Sequence, residues 1–133
     1  MAKILIIDDD EGICFTLSRM IRPDGHQVEC AHSLAEGLTK ASSGNFDIVF
    51  LDVMLPDGSG LDRLPDIRNT ASKPKVIIMT VLDKRVGTKR AKESGALEYI
   101  QKPFSLGEAR VALSSALQHR AEIKKSESKD QVS

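Results

Sequence analysis

"KILIIDDDEG", residues 3–12, sets four apolar residues directly against four acids. Residues 4–7 are apolar at every position, the pattern of a short strand covered on both faces. Asp8, Asp9, Asp10 and Glu11 then follow without a gap. Like charges about 4 Å apart repel by about 1 kcal/mol in water, and by more inside a protein. A strand tip carrying this cluster needs a cation, or a way to disperse the charge.

The same layout recurs along the chain. Further apolar runs stand at 27–30 (QVEC), 47–51 (DIVFL), 75–79 (KVIIM) and 97–100 (LEYI). Between the runs the apolar spacing becomes helical. Ile13, Leu17, Met20 and Ile21 form a stripe on 11–22, and Leu34, Gly37, Leu38 and Ala41 form one on 33–43. Leu61, Leu64, Ile67 and Arg68 suggest a short third helix, in which Pro65 removes a hydrogen bond or bends the axis. Ser33 followed by Glu36, and Ser105 followed by Glu108, predict capped helix starts. Lys84–Glu93, ended by Gly95, predicts a basic fourth helix. The last helix shows the stripe Leu106, Ala109, Val111, Leu113, Ala116 and Leu117. Strand and helix alternate five times, which predicts a doubly wound α/β sheet of parallel strands. The polar end KKSESKDQVS (124–133) reads as a disordered end or the start of a linker.

A chain of 133 residues is about one domain, long enough to bury a core without staples. Its formal charge is zero, so no overall charge draws it to nucleic acid or anionic lipid. No apolar run approaches the roughly 18 residues of a membrane span, and no signal layout opens the chain, so cytoplasm is the default location. Cys14 and Cys30 lack metal spacing and read as small buried thiols. His26, His32 and His119 are scattered and read as surface or loop residues. The lysines and arginines at 84, 85, 89, 90 and 92 read as a solvated face or a partner surface.

In a doubly wound sheet, ligands gather outside the carboxyl ends of the strands. Strand 1 ends at Asp8 and Asp9, strand 3 at Asp52 and strand 4 at Thr80, while strand 5 runs into Lys102 and Pro103. All four ends share one edge. Three carboxylates held together suit Mg²⁺, a hard cation that takes oxygen ligands and would neutralise the cluster. Thr80 and Lys102 suit phosphoryl oxygens. A carboxylate beside such an ion and a lysine can attack phosphorus and carry an acyl phosphate. Asp52 is the candidate nucleophile, because it ends the most apolar strand and opens the loop DVMLPDGSG. Asp10 and Glu11 read instead as acids at the start of the first helix, favoured by its dipole.

With ILIIDDD, FDIVFLDVMLPDGSGLDRL, VIIMT and GALEYIQKPF in this order, residues 3–120 resemble the receiver domain of bacterial two-component response regulators. The resemblance implies a flavodoxin-like (βα)5 fold with strand order 2-1-3-4-5. The receiver domain would span 1–121, with 122–133 a polar tail or the start of a linker to an effector domain. By the same resemblance Asp52 accepts a phosphoryl group from a sensor histidine kinase. Asp9 binds Mg²⁺ directly and Asp8 assists, while the main-chain carbonyl of Met54 is a further ligand. Thr80 and Lys102 hold the phosphoryl group, the Lys102–Pro103 bond is cis, and Tyr99 is a switch aromatic that follows Thr80. The face of the fourth helix, fifth strand and last helix would then change its affinity for a partner, including a second copy of the chain.

LPDGSGLDRLPDIR and GALEYIQKPFSL further resemble receivers of sigma-54-dependent activators, which implies a transcriptional output. A stand-alone receiver acting through protein contacts or a phosphorelay is the alternative. Such a domain assists its own phosphorylation and dephosphorylation but is not an enzyme. An aspartyl-phosphate phosphatase is a rival reading, yet it wants an acid two residues past the nucleophile, where Met54 stands. A flavodoxin-like cofactor binder needs a Ser/Thr/Gly-rich loop after strand 1, not DDDEG. Val81, Met54 and Leu82 are apolar where other receivers often differ, which implies slow loss of the phosphoryl group.

Overall fold

The computed structural model describes residues 1–81, 89, 92–93 and 95–132, with side-chain surroundings through Arg120. Five strands form one sheet: β1 (Lys3–Ile7), β2 (Gln27–Ala31), β3 (Ile48–Asp52), β4 (Lys75–Thr80) and β5 (Glu98–Gln101). All neighbours are parallel and the order is β2-β1-β3-β4-β5. This is the flavodoxin-like arrangement, with the reversal of order between β1 and β3. The helices are α1 (Glu11–Ile21), α2 (Leu34–Ser43), α3 (Gly60–Arg68) and a C-terminal helix (Leu106–Val132).

The two-residue period of a strand divides each apolar run between two cores. Ile4, Ile6, Ile48, Phe50, Ile77 and Met79 pack under α1 and the C-terminal helix, against Leu17, Ile21, Ala109 and Leu113. Leu5, Ile7, Val49, Leu51, Val76 and Ile78 face α2 and α3, against Leu34, Ala41, Leu64 and Ile67. Burying one such aliphatic side chain contributes about 1.5–3 kcal/mol. Both faces are covered, which is why β1, β3 and β4 are unbroken apolar runs. The edge strands β2 and β5 are only partly buried.

Local signals hold the helix starts where the residues predict. Ser33 Oγ accepts the Glu36 N–H at 3.1 Å, and Ser105 Oγ accepts the Glu108 N–H at 3.1 Å. Pro65 sits inside α3 without ending it. Two positions differ from the stripe read on the last helix: Leu106 is 46% and Val111 71% exposed. Val111 lies two residues from both Ala109 and Leu113, roughly 200° around the axis, so it cannot share their face; Ala112 takes the core position instead. The helix backbone continues through Val132, across the stretch read as a polar tail. That stretch contains neither Pro nor Gly. Of the basic helix read at 84–93, positions 89, 92 and 93 are helical and the rest lies outside the described residues.

The edge away from the carboxyl ends of the strands is closed by Arg120. Its Nε donates to Asp47 Oδ1 at 2.8 Å, and its two terminal nitrogens donate to the carbonyls of Lys73 and Ser72 at 3.0 and 3.1 Å. One guanidinium thus ties the C-terminal helix to the start of β3 and to the loop before β4.

Gly37 lets α2 approach β1. A Cβ there would stand 2.6 Å from Cδ1 and 2.9 Å from Cγ1 and Cγ2 of the fully buried Ile7. Forcing extra methyl groups into a packed core typically costs about 1–3 kcal/mol, and valine brings little helix propensity to offset it. Gly37→Val therefore lowers stability by about 2 kcal/mol, read as a lower urea midpoint at unchanged slope.

Candidate functional site

Asp8, one residue past β1, is fully buried. Its Oδ1 accepts the Asp10 N–H at 2.9 Å, and its Oδ2 accepts from Lys102 Nζ at 2.7 Å. Asp52, the last residue of β3, is 4% exposed. Its Oδ2 lies 3.2 Å from the same Nζ, and its Oδ1 accepts the Met54 N–H at 3.2 Å. Asp8, Asp9 and Asp52 each bring one carboxylate oxygen within 4.8 Å of the others. Asp9 is exposed. Thr80 is buried at the end of β4, and its carbonyl accepts the Lys102 N–H at 2.7 Å. The Lys102–Pro103 peptide bond is cis.

The run of four acids therefore splits between two tasks. Asp10 caps α1, its Oδ1 accepting from the N–H groups of Gly12 and Ile13 at 2.8 and 3.4 Å. Glu11 occupies the first turn, where the helix dipole favours it. Only Asp8 and Asp9 contribute to the carboxylate cluster.

The loop after Asp52 is stapled on both sides. The Val53 N–H donates to the Met79 carbonyl at 3.1 Å, and the Gly60 N–H donates to the Val53 carbonyl at 2.7 Å. Residues Met54–Leu55 pair with Gly58–Ser59 as a short antiparallel ribbon. Asp57 reaches across to α2 and accepts from the N–H groups of Leu34 and Ala35 at 2.8 and 3.0 Å, bonds that lower its pKa. A Cβ at position 60 would overlap the main-chain oxygen of Asp52.

Burial, and then the charge of Asp8, push the Asp52 carboxyl up to about 6, against the pull of Lys102 and the Met54 N–H. Burial opposes the charge on Lys102, but its bonds and charge interactions with Asp8 and Asp52 outweigh it and raise the pKa of the ammonium. One lysine thus leaves the rim with more negative charge than it can compensate. The donors are hard carboxylate oxygens close enough to share one ion, so this chain's residues fit a divalent cation.

Tyr99 lies in the middle of β5, opposite Ile78, half-buried against the α2/α3 core. The Met54 side chain is 64% and that of Val81 59% exposed, while Leu82 lies outside the described residues. His26 and His32 lie in loops, as read, each half-buried with a hydrogen-bond partner, whereas His119 is on a helix. His26 Nδ1 accepts the Ala2 N–H at 2.9 Å, and His119 lies on the C-terminal helix with Nδ1 buried. His32 Nδ1 lies 3.0 Å from the Asp8 carbonyl, which also accepts from Cys14 Sγ at 3.6 Å. Sequence reading missed these neighbours of Asp8. The signal for His32 was its place just past strand 2, on the same edge.

Two outcomes follow from this geometry. The folded pKa of Asp52 lies above its ordinary 3.8, so between pH 3.8 and about 6 the folded state holds a proton that the unfolded state has lost. Stability of the metal-free protein then falls as pH rises through that window, by about 3 kcal/mol in all. Asp52→Asn removes most of that slope and is the more stable protein at pH 7, as read by urea unfolding across pH. In Gly60→Ala the carbonyl of Asp52 must move, so the turn shifts; the expected readout is displaced amide resonances for residues 52–60 in a protein that remains folded.

Comparisons with known proteins identify the family of the chain. The response regulator receiver domain family matches residues 4–114. The chain is 37% identical over 114 residues to the transcriptional regulatory protein YkoG of Bacillus subtilis, covering 86% of this chain and 50% of that protein. It is 32% identical over 121 residues to the KDP operon transcriptional regulatory protein KdpE of Escherichia coli, covering 91% and 53%. The chain spans about half the length of these curated relatives. A CheY-like receiver domain protein from Methanospirillum hungatei superposes with a TM-score of 0.84 at 26% identity, covering 92% of this chain and 98% of that one. Its matching residues, sheet order and clustered aspartates place the chain in the response regulator receiver domain family.

Proposed function

We propose that this chain is a phosphorylation-dependent signalling switch that accepts a phosphoryl group from a sensor histidine kinase onto Asp52. The observation that carries the reading is the buried Asp52 carboxylate, 3.2 Å from Lys102 Nζ and within 4.8 Å of carboxylate oxygens of Asp8 and Asp9. Ionised Asp52 attacks phosphorus in line with the bond to the donor imidazole. The P–N bond breaks, its electron pair stays on the imidazole nitrogen, and an acyl phosphate forms. Lys102 faces the new negative charge, and the Thr80 hydroxyl would donate its hydrogen to a phosphoryl oxygen. Asp8, Asp9, Asp52 and the carbonyl of Met54 would hold Mg²⁺, which supplies neutralising charge and a template for the phosphoryl oxygens when bound.

The reading extends to an output. Drawing Thr80 toward the modified Asp52 shifts β4, and Tyr99 follows. The face formed by the fourth helix, β5 and the C-terminal helix then alters its contact with effector domains, a downstream protein or a second copy. The exposed Val111 side chain, which shares a groove with Tyr99 of β5, supports an apolar partner there. The names of YkoG and KdpE support a transcriptional role within a longer regulator. A sigma-54-dependent output is the narrower form of the proposal. The domain acts in the cytoplasm, without nucleic-acid contacts of its own and without catalysing turnover of a separate substrate. Among the described residues no helix is long and apolar enough to cross a membrane.

The test is incubation with Mg²⁺ and acetyl phosphate, followed by intact mass and peptide mapping. The expected result is one added phosphoryl group on the peptide that carries Asp52, and none in Asp52→Asn. An unmodified wild-type protein at saturating Mg²⁺ contradicts the proposal. The apolar, exposed Met54 cannot orient an attacking water, so hydrolysis is slow. Met54→Glu is expected to shorten the lifetime of the phosphorylated protein about tenfold, measured as decay of the modified mass after the donor is removed.

A further inference from the structure

On the edge of the sheet opposite Asp52 lies a cavity of about 430 Å³. The end of α3 contributes Arg68 and Asn69, and the loop entering β4 contributes Lys73 and Lys75. Gly95, in the segment before β5, and His119, on the C-terminal helix, complete the polar part of the lining. Among the described residues the lining carries no carboxylate. The nearby Asp47 is engaged by Arg120 at 2.8 Å and by the Lys3 N–H at 2.9 Å.

Three features mark the lining, and the first of them fixes the place of the Arg68 guanidinium. A Cβ at position 95 would overlap the Arg68 guanidinium, and Gly95 has φ +93°. Glycine there both makes the turn and leaves the arginine its space. Lys73 sits at φ +46°, its N–H donating to the Thr70 carbonyl and its own carbonyl accepting from Arg120. His119 Nδ1 is buried with no hydrogen-bond partner among the described residues. Buried polar nitrogens are nearly always paired, so this orphan marks an unsatisfied polar group in the wall of the cavity.

We propose that this cavity binds a small oxyanion bearing at least two negative charges, of the phosphate-ester or polycarboxylate kind. The volume falls in the range of small-ligand sites. The guanidinium offers a planar fork of donors that matches two oxygens of a phosphate or carboxylate. The site stands at the start of β4 and the entry to β5, the ends far from Asp52, beside the Arg120 clamp on the C-terminal helix. An occupant there stands beside the C-terminal helix without touching Asp52. The proposal does not depend on phosphorylation of Asp52, so the two stand or fall separately.

The test uses the full chain, stripped of metal on a chelating resin, and follows backbone amide resonances. Inorganic phosphate, citrate and sodium chloride are titrated separately at matched ionic strength. The proposal predicts saturable shifts confined to residues 68–76, 95–97 and the neighbourhood of 119, with a dissociation constant on the order of 1 mM or tighter for phosphate or citrate. Saturation by only one of the two supports the site and identifies its preferred chemistry. Arg68→Glu is expected to weaken binding at least tenfold. Lys73→Glu, on an exposed loop position, is expected to do the same if Arg68→Glu does not fold. Shifts that stay linear and match those of chloride, or affinity unchanged in a folded charge-reversal variant, overturn the proposal.

Discussion

The ammonium of Lys102 stands 2.7 Å from one buried aspartate and 3.2 Å from another. Everything at the working edge of this fold is arranged around that contact. Two desolvated carboxylates cannot both remain charged at close range without a cation, and one lysine supplies only a single positive charge. The remaining imbalance is visible in Asp52, whose carboxyl holds its proton up to about pH 6. The same imbalance makes the rim receptive to a divalent ion, which would hold Asp52 as an anion when bound. The sheet holds the charges together, and burial and their mutual repulsion raise the pKa of Asp52.

The parallel sheet makes that crowding possible. In register, β1 and β3 end side by side, and β4 ends beside β3. Residues just past the strand ends are therefore neighbours, whatever their separation in sequence. The fully apolar strands anchor the rim from below, with aliphatic side chains buried on both faces. The ribbon after Asp52, the bonds from Asp57 to the first turn of α2 and the close approach of Gly60 then fix the loop that follows Asp52.

Much of this was legible in the residues, for reasons that differ from place to place. The runs ILII and IVFL lack alternation because both faces of the sheet are covered, so strand type and layering could be read together. The strand-end rule brought Asp8, Asp9, Asp52, Thr80 and Lys102 to one edge, and the structure holds the three carboxylates and the lysine within ångströms of one another. Helix phase was less legible. Val111 and Leu106 looked like core because apolar residues also sit on exposed faces. His32 was missed because a lone histidine carries no spacing signal. Its role depends on β2 ending next to β1, which is a property of strand order. The Arg120 clamp was equally invisible, since its acceptors are two main-chain carbonyls and an aspartate 73 positions away.

The most direct measurement of the central claim is the protonation of Asp52 itself. Its side-chain carboxyl carbon can be followed by NMR through acid and neutral pH, first without metal and then with saturating Mg²⁺. The account predicts a midpoint near 6 in the metal-free protein and a midpoint below its ordinary 3.8 once the ion is bound. A midpoint near 3.8 that ignores magnesium would contradict it, because the carboxylates would then be neither crowded nor shared with a cation.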